Sequence, residues 1–204
     1  MAQTTRTFIA IPLPDSMGDR LTKLQGRLAP QLPSVRWSET LPFHLTLAFL
    51  GDVPYVDLNK ICGAVAKASR TVKRFELTIT GLGAFPNLAR PRVLWAKVEG
   101  EGLALLADLH KAVGAALEEV GCIPEDERFS PHITLGRIKP GRSAAQPNSL
   151  GAVVARHQTW SLGGFSVGEV VTFSSTVTPE GPAYAPLARA PLASARTRTD
   201  DLTE

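Results

Sequence analysis

At 204 residues, 44% hydrophobic and 20% charged, the chain can bury one substantial core and has an ordinary globular composition, which argues against disorder and against a membrane protein. A net charge of +3 and a pI near 9.1 are too small an excess for a general nucleic-acid binder. No run of about 18 apolar residues could cross a bilayer, and the first apolar run, interrupted by Pro12 and Pro14, is too short for a signal-peptide core, so a cytoplasmic protein is expected.

In chain order, residues 7–11 read as a short buried strand. Pro14, Asp15 and Ser16 open a helix with apolar residues at Met17, Leu21, Leu24 and Leu28. Ser16 and Asp19 have capping-box spacing, and Pro30 and Pro33 stop the helix. Residues 43–50 form a second apolar strand, and 55–69 a second helix with Leu58, Ile61, Cys62 and Val65 on one face. Cys62 and Cys122 lack metal or disulfide-framework spacing and read as buried structural thiols. Residues 74–79 and 92–98 read as paired strands around a turn-rich stretch, with Gly81, Gly83, Gly163 and Gly164 as turn residues.

Leu103, Leu106, Leu109, Val113, Leu117 and Val120 mark a long helix that Gly121 ends. His110, at the edge of its apolar face, has no ligand-spaced neighbours and takes no role. Then come a strand at 131–138, a polar loop at 140–149, a weak helix at 150–157 that contains His157, and strands near 161–174 and 183–188. Residues 190–204 lack periodicity and are expected to be disordered, leaving 1–189 as one domain. The alternation, run through twice, gives an α+β fold of two lobes related by a pseudo-twofold.

Two segments repeat within this pattern: Pro42-Phe43-His44-Leu45-Thr46-Leu47 and Pro131-His132-Ile133-Thr134-Leu135. In a strand, His44 and Thr46 share one face and Leu45 and Leu47 the other, and His132 and Thr134 behave alike. A single His-x-Thr is at home in any half-buried strand. Two of them packed across a pseudo-twofold bring four polar groups to one small anion, and histidine titrates where one copy can act as base and the other as acid. In-line displacement at phosphorus needs that pair, with donors for the equatorial oxygens; Thr46, Thr134 and the nearby Arg137 fit. Neither motif carries Asp, Glu or Cys on the histidine face, so no metal is expected. Arg128, Arg137, Lys139 and Arg142 fall in an acid-free stretch that would suit a phosphate-bearing ligand or, on charge alone, a solvated loop.

The pairing of His44-Leu45-Thr46-Leu47-Ala48-Phe49-Leu50-Gly51 with His132-Ile133-Thr134-Leu135-Gly136-Arg137 resembles the 2H phosphoesterases. Within them it is similar to the bacterial and archaeal RNA 2′,3′-cyclic phosphodiesterases, also called 2′-5′ RNA ligases. The resemblance implies two pseudo-symmetric lobes, each an antiparallel sheet with helices, around a central cleft. It implies hydrolysis of RNA 2′,3′-cyclic phosphate ends to 2′-phosphates without metal or cofactor, and reverse 2′-5′ ligation. His44 would be the proton donor and His132 the proton acceptor, with Thr46, Thr134 and Arg137 binding phosphate; the residues alone do not separate donor from acceptor.

Phe43 and Phe129, and also Phe49 or Trp37, are candidate stacking platforms for a base. The expected partner is RNA or a related nucleotide, and a monomer is the default. One departure is Phe173-Ser174-Ser175, where the family carries an acidic residue before the serine. Phosphodiesterase action on another cyclic phosphate or a 2′-5′ oligonucleotide, and non-catalytic binding of RNA ends, are the alternatives.

Overall fold

Strands β1 (Thr4–Pro12), β2 (Val35–Trp37), β3 (His44–Pro54), β4 (Phe75–Phe85), β5 (Val93–Glu99), β6 (His132–Ile138), β7 (Ser161–Val167), β8 (Glu169–Thr178) and β9 (Gly181–Pro191) alternate with helices α1 (Asp15–Leu28), α2 (Leu58–Ser69), α3 (Leu103–Glu119) and α4 (Leu150–Arg156). This is a computed structural model, and it describes residues 3–38, 42–125, 129–138, 150–179 and 181–194.

The strands pair in the order β7-β4-β5-β6-β3-β1-β8-β9, with β2 added at one end of β6. All these pairs are antiparallel. β6 and β3 meet at a single bridge, Leu45 to Ile133. That seam divides the sheet into two four-stranded halves that correspond strand by strand outward from it. β4 and β5 come from the first half of the chain yet join β6 and β7, while β8 and β9 come from the second half and join β1 and β3. The lobes thus exchange strands and form one unit.

Helices cover the outer face, each by an apolar stripe at helical spacing. α1 buries Met17, Leu21, Leu24 and Leu28, and α3 buries Leu106, Leu109, Val113 and Leu117. α1 packs against β7 and α4 against β4, whereas α2 packs on β8, β9 and α3. Gly121 ends α3 at φ +75°, its N–H bonding Glu118 and that of Cys122 bonding Leu117, both at 2.9 Å. This left-handed cap is the one expected from the glycine. Among the described residues, no helix is long and apolar enough to cross a membrane.

Several expectations are corrected. The Ser16–Asp19 capping box does not form: α1 begins at Asp15, with Pro14 as the cap residue and its carbonyl accepting from Met17 and Gly18 at 2.9 and 3.1 Å. The four glycines lie inside strands. Gly81 (φ +40°) and Gly163 (φ +106°) sit where β4 and β7 slip register, and a Cβ on Gly83 would lie 2.3 Å from the Trp95 ring. The stretch 161–174 is two strands broken at Gly168. β9 extends to Pro191, Leu192 is buried with its N–H bonded to Gly168 O, and Ala193 N–H bonds Val72 O, so the folded unit reaches past 189. The rest of the expected tail, and the loop at 140–149, lie outside the described residues.

Candidate active site

Leu45 and Ile133, bridged at the seam, are fully buried, so His44 and Thr46 and likewise His132 and Thr134 turn to the opposite face. The antiparallel direction sets His44 beside Thr134 and His132 beside Thr46. His44 Nδ1–H donates to the Pro42 carbonyl at 3.0 Å, and His132 Nδ1–H to the Ser130 carbonyl at 2.7 Å. A carbonyl only accepts, so each Nδ1 keeps its hydrogen and each Nε2 is left to gain or lose a proton. The same backbone device, a carbonyl two residues upstream, thus orients both rings.

Strict alternation would send Arg137 inward with Ile133 and Leu135. Instead β6 slips by one residue against β5: Trp95 pairs with Thr134, Leu94 with Gly136 and Val93 with Arg137. Leu135 is the bulged residue, and Arg137 emerges on the histidine face, exposed. The bulge is held from behind by the buried Gln25 of α1. Its Nε2 donates to the Leu135 carbonyl at 2.8 Å and to the Ser38 carbonyl at 3.1 Å, while Ser38 N–H donates to Leu135 O at 2.9 Å. β3 carries the matching slip against β1, with Ala10 paired to Thr46, Ile9 to Ala48 and Phe8 to Phe49. Phe49 therefore occupies, on its own lobe, the place of Arg137.

The walls around the two rings differ. The His44 ring lies 5.0 Å from Phe8, 5.2 Å edge-on from Tyr184 and 6.2 Å from Phe173. Phe8, Ala10, Val171 and Phe173, with Tyr184 against them, form an apolar cluster separate from the main core. The His132 ring meets Phe85 edge-on at 4.9 Å and Trp95 at 6.2 Å, and its neighbour on β5 is Lys97. Burial lowers the pKa of His44, its bond to Pro42 works the other way, and charge on His132 lowers it further; burial also lowers that of His132, opposed by the Ser130 bond. Both rings are thus biased toward the neutral form in the free protein. Burial raises the Tyr184 hydroxyl, opposed by the nearby Arg137 charge.

The structure thus brings His44, Thr46, His132, Thr134 and Arg137 to one face, but not Phe43 or Phe129, and Trp37 on β2 packs half-buried against the main core. Phe43 is 4% exposed and belongs to the main core, because it precedes β3 on the Leu45 side. Phe129 lies flat on His110 at 4.1 Å, packed against α3. Phe49, at 47% exposed, is the stacking candidate that opens onto the cleft face. Ser174 Oγ donates to the Ala185 carbonyl at 3.3 Å, on the face of β8 opposite Phe173. Arg128, Lys139 and Arg142 lie outside the described residues. The two cysteines are half-buried, with thiols raised by burial. Phe8, Phe85, Trp95, Tyr184 and Gln25 were not singled out from the sequence, since only cross-strand register places them at the site.

A sheet whose strand order mirrors itself about a seam, with one His-x-Thr strand on each side, is the 2H phosphoesterase fold. The family model for LigT-like phosphoesterases matches residues 11–95 and again 98–184, each copy spanning one histidine motif. An RNA 2′,3′-cyclic phosphodiesterase of Methanothermobacter thermautotrophicus is 32% identical over 88% of this chain and 94% of that protein. A protein of the same name from Geobacillus stearothermophilus is 32% identical over 91% of this chain, which spans only 56% of that relative's length. The crystal structure of TT0787 of Thermus thermophilus superposes with a TM-score of 0.74 at 30% identity, covering 93% of this chain and 98% of the other. The chain belongs to the LigT-like phosphoesterase family.

Proposed function

We propose that the protein opens 2′,3′-cyclic phosphate ends of RNA to 2′-phosphates, with the two histidines as acid and base. A water oxygen bonds to phosphorus while His132 Nε2 takes its proton. The bond from phosphorus to the 3′ oxygen breaks, and His44 Nε2–H protonates that oxygen. Thr46, Thr134 and Arg137 hold the equatorial oxygens, whose charge grows in the transition state. The assignment of donor and acceptor rests on the family resemblance. With a 5′-hydroxyl in place of water as the nucleophile, the same proton transfers join the 2′,3′-cyclic phosphate to that hydroxyl through a 2′-5′ linkage, which is ligation.

The observation that carries this reading is the pair of Nε2 atoms left available on strands that meet at one bridge. Two relatives named RNA 2′,3′-cyclic phosphodiesterase, each 32% identical, support the substrate class. Among the described residues, no three of His, Cys, Asp and Glu gather as a metal-binding set. The apolar wall of the His44 lobe, with Phe49 and Tyr184, is where a base would stack.

The test is a short RNA ending in a 2′,3′-cyclic phosphate, incubated in EDTA with wild type and with His132→Ala. A 2′-phosphate made only by wild type is expected. A 3′-phosphate would reverse the leaving oxygen, inhibition by EDTA would bring in a metal, and RNA binding without turnover would leave a binding module.

A further inference from the structure

We propose a second RNA contact: a cationic groove at the outer edge of the His132 lobe that holds the body of an RNA whose end is at the histidines. The groove, about 350 Å³, lies between α1 and the start of β7 and is lined by Arg20, Lys23, Arg27, Trp160 and Ser161. The three cations recur at i, i+3 and i+7 on one exposed flank of α1. Asp19 lies one turn before Lys23 on the same exposed face, yet among the described residues it makes no ion pair with it, and Asp15 falls farther round the helix. The ion pairs among the described residues are Lys60–Asp57, Lys97–Glu99 and Arg189–Glu169, so none neutralises the groove.

Cross-strand register connects the groove to the site. His132 pairs with Lys97, Lys97 with Thr80 and Thr80 with Ser161, so these four side chains form one row on the cleft face. The row crosses three strand spacings, roughly 14 Å, and ends at Ser161 in the groove. Glu99 is the acid beside this row, engaged by Lys97 and by the Thr80 hydroxyl at 2.9 Å. Cations spaced along a groove beside a half-exposed tryptophan match the chemistry of a single-stranded phosphate backbone with a stacked base. A single nucleotide at the histidines does not reach the groove, whereas an oligonucleotide crossing the row does.

This inference rests on the RNA-end reading for its geometry, and its test separates the two. The triple variant R20Q/K23Q/R27Q, all surface changes, is compared with wild type on a nucleoside 2′,3′-cyclic phosphate and on a single-stranded RNA 12-mer carrying the same end. A single Ser161→Glu variant serves as a second probe. Unchanged turnover of the nucleoside with a KM for the 12-mer raised about tenfold or more is expected. The salt dependence of log Kd for the 12-mer should become shallower by about 2, one phosphate contact per lost cation. Equal KM and salt slope in wild type and variant on the 12-mer would overturn the groove. So would a triple variant that loses binding to anionic vesicles while keeping its hold on RNA. If wild type turns over neither substrate, the RNA-end reading fails, and binding of a 12-mer with an ordinary 3′-hydroxyl still decides the groove.

Discussion

His44 and His132 occupy equivalent positions on either side of the seam, yet His44 is walled by Phe8, Phe173 and Tyr184, while His132 meets Phe85 and Trp95 and stands next to Lys97. Equal one-residue slips follow the two motifs, and they deliver Arg137 on one lobe and Phe49 on the other. Backbone symmetry therefore fixes where groups point, and side-chain asymmetry divides the work. One wall is built to meet charge and the other to meet an apolar ring. A substrate with a phosphate and a base attached to one sugar fits such a divided cleft.

The comparison breaks most completely if either ring is removed. His44→Ala and His132→Ala are each expected to lower kcat by on the order of 10²-fold or more, with melting temperatures close to wild type. Unfolding of either variant would instead give that histidine a structural role. On the His132 side, Gly83→Ala places a methyl within 2.3 Å of the Trp95 ring and must displace it. Such overpacking costs about 1–3 kcal/mol of stability, and a several-fold fall in kcat should accompany it; wild-type kinetics would show that Trp95 does not set the His132 ring.

Gln25→Leu and Gln25→Glu both remove the N–H that Gln25 gives the Leu135 carbonyl. KM should rise more than kcat falls in both, because Arg137 is what the bulge aims. An unaffected Gln25→Glu would show that the donated hydrogen is not what holds the bulge. The smallest change is on the His44 wall: Tyr184→Phe keeps the edge-on ring and should be near-neutral, whereas Tyr184→Leu loses about 0.5–1.5 kcal/mol of ring contact. Equal kinetics for the two would remove the aromatic wall from the account.

The histidine pair was legible because its residue types recur at one spacing, and the helices because apolar stripes and the α3 glycine cap are local signals. What local signals could not carry was register. Alternation counted along β6 buries Arg137, and only the pairing of Trp95 with Thr134 and Leu94 with Gly136 shows the slip that exposes it. Gly83 read as a turn because its partner, the Trp95 ring, lies on another strand. Phe43 and Phe129 were chosen for closeness in sequence to the histidines, whereas the face each takes depends on which side of the strand start it falls and on the His110 ring.

The most direct measurement is kcat/KM against pH for an RNA 2′,3′-cyclic phosphate in EDTA. The proposed mechanism needs one ring protonated and the other neutral, and burial lowers both pKa values in the free protein. A bell-shaped profile is therefore expected, with its maximum on the acid side of the ordinary histidine value of about 6.5. A flat profile would contradict two histidines acting as acid and base, and one still rising above that value would contradict the lowering of both by burial.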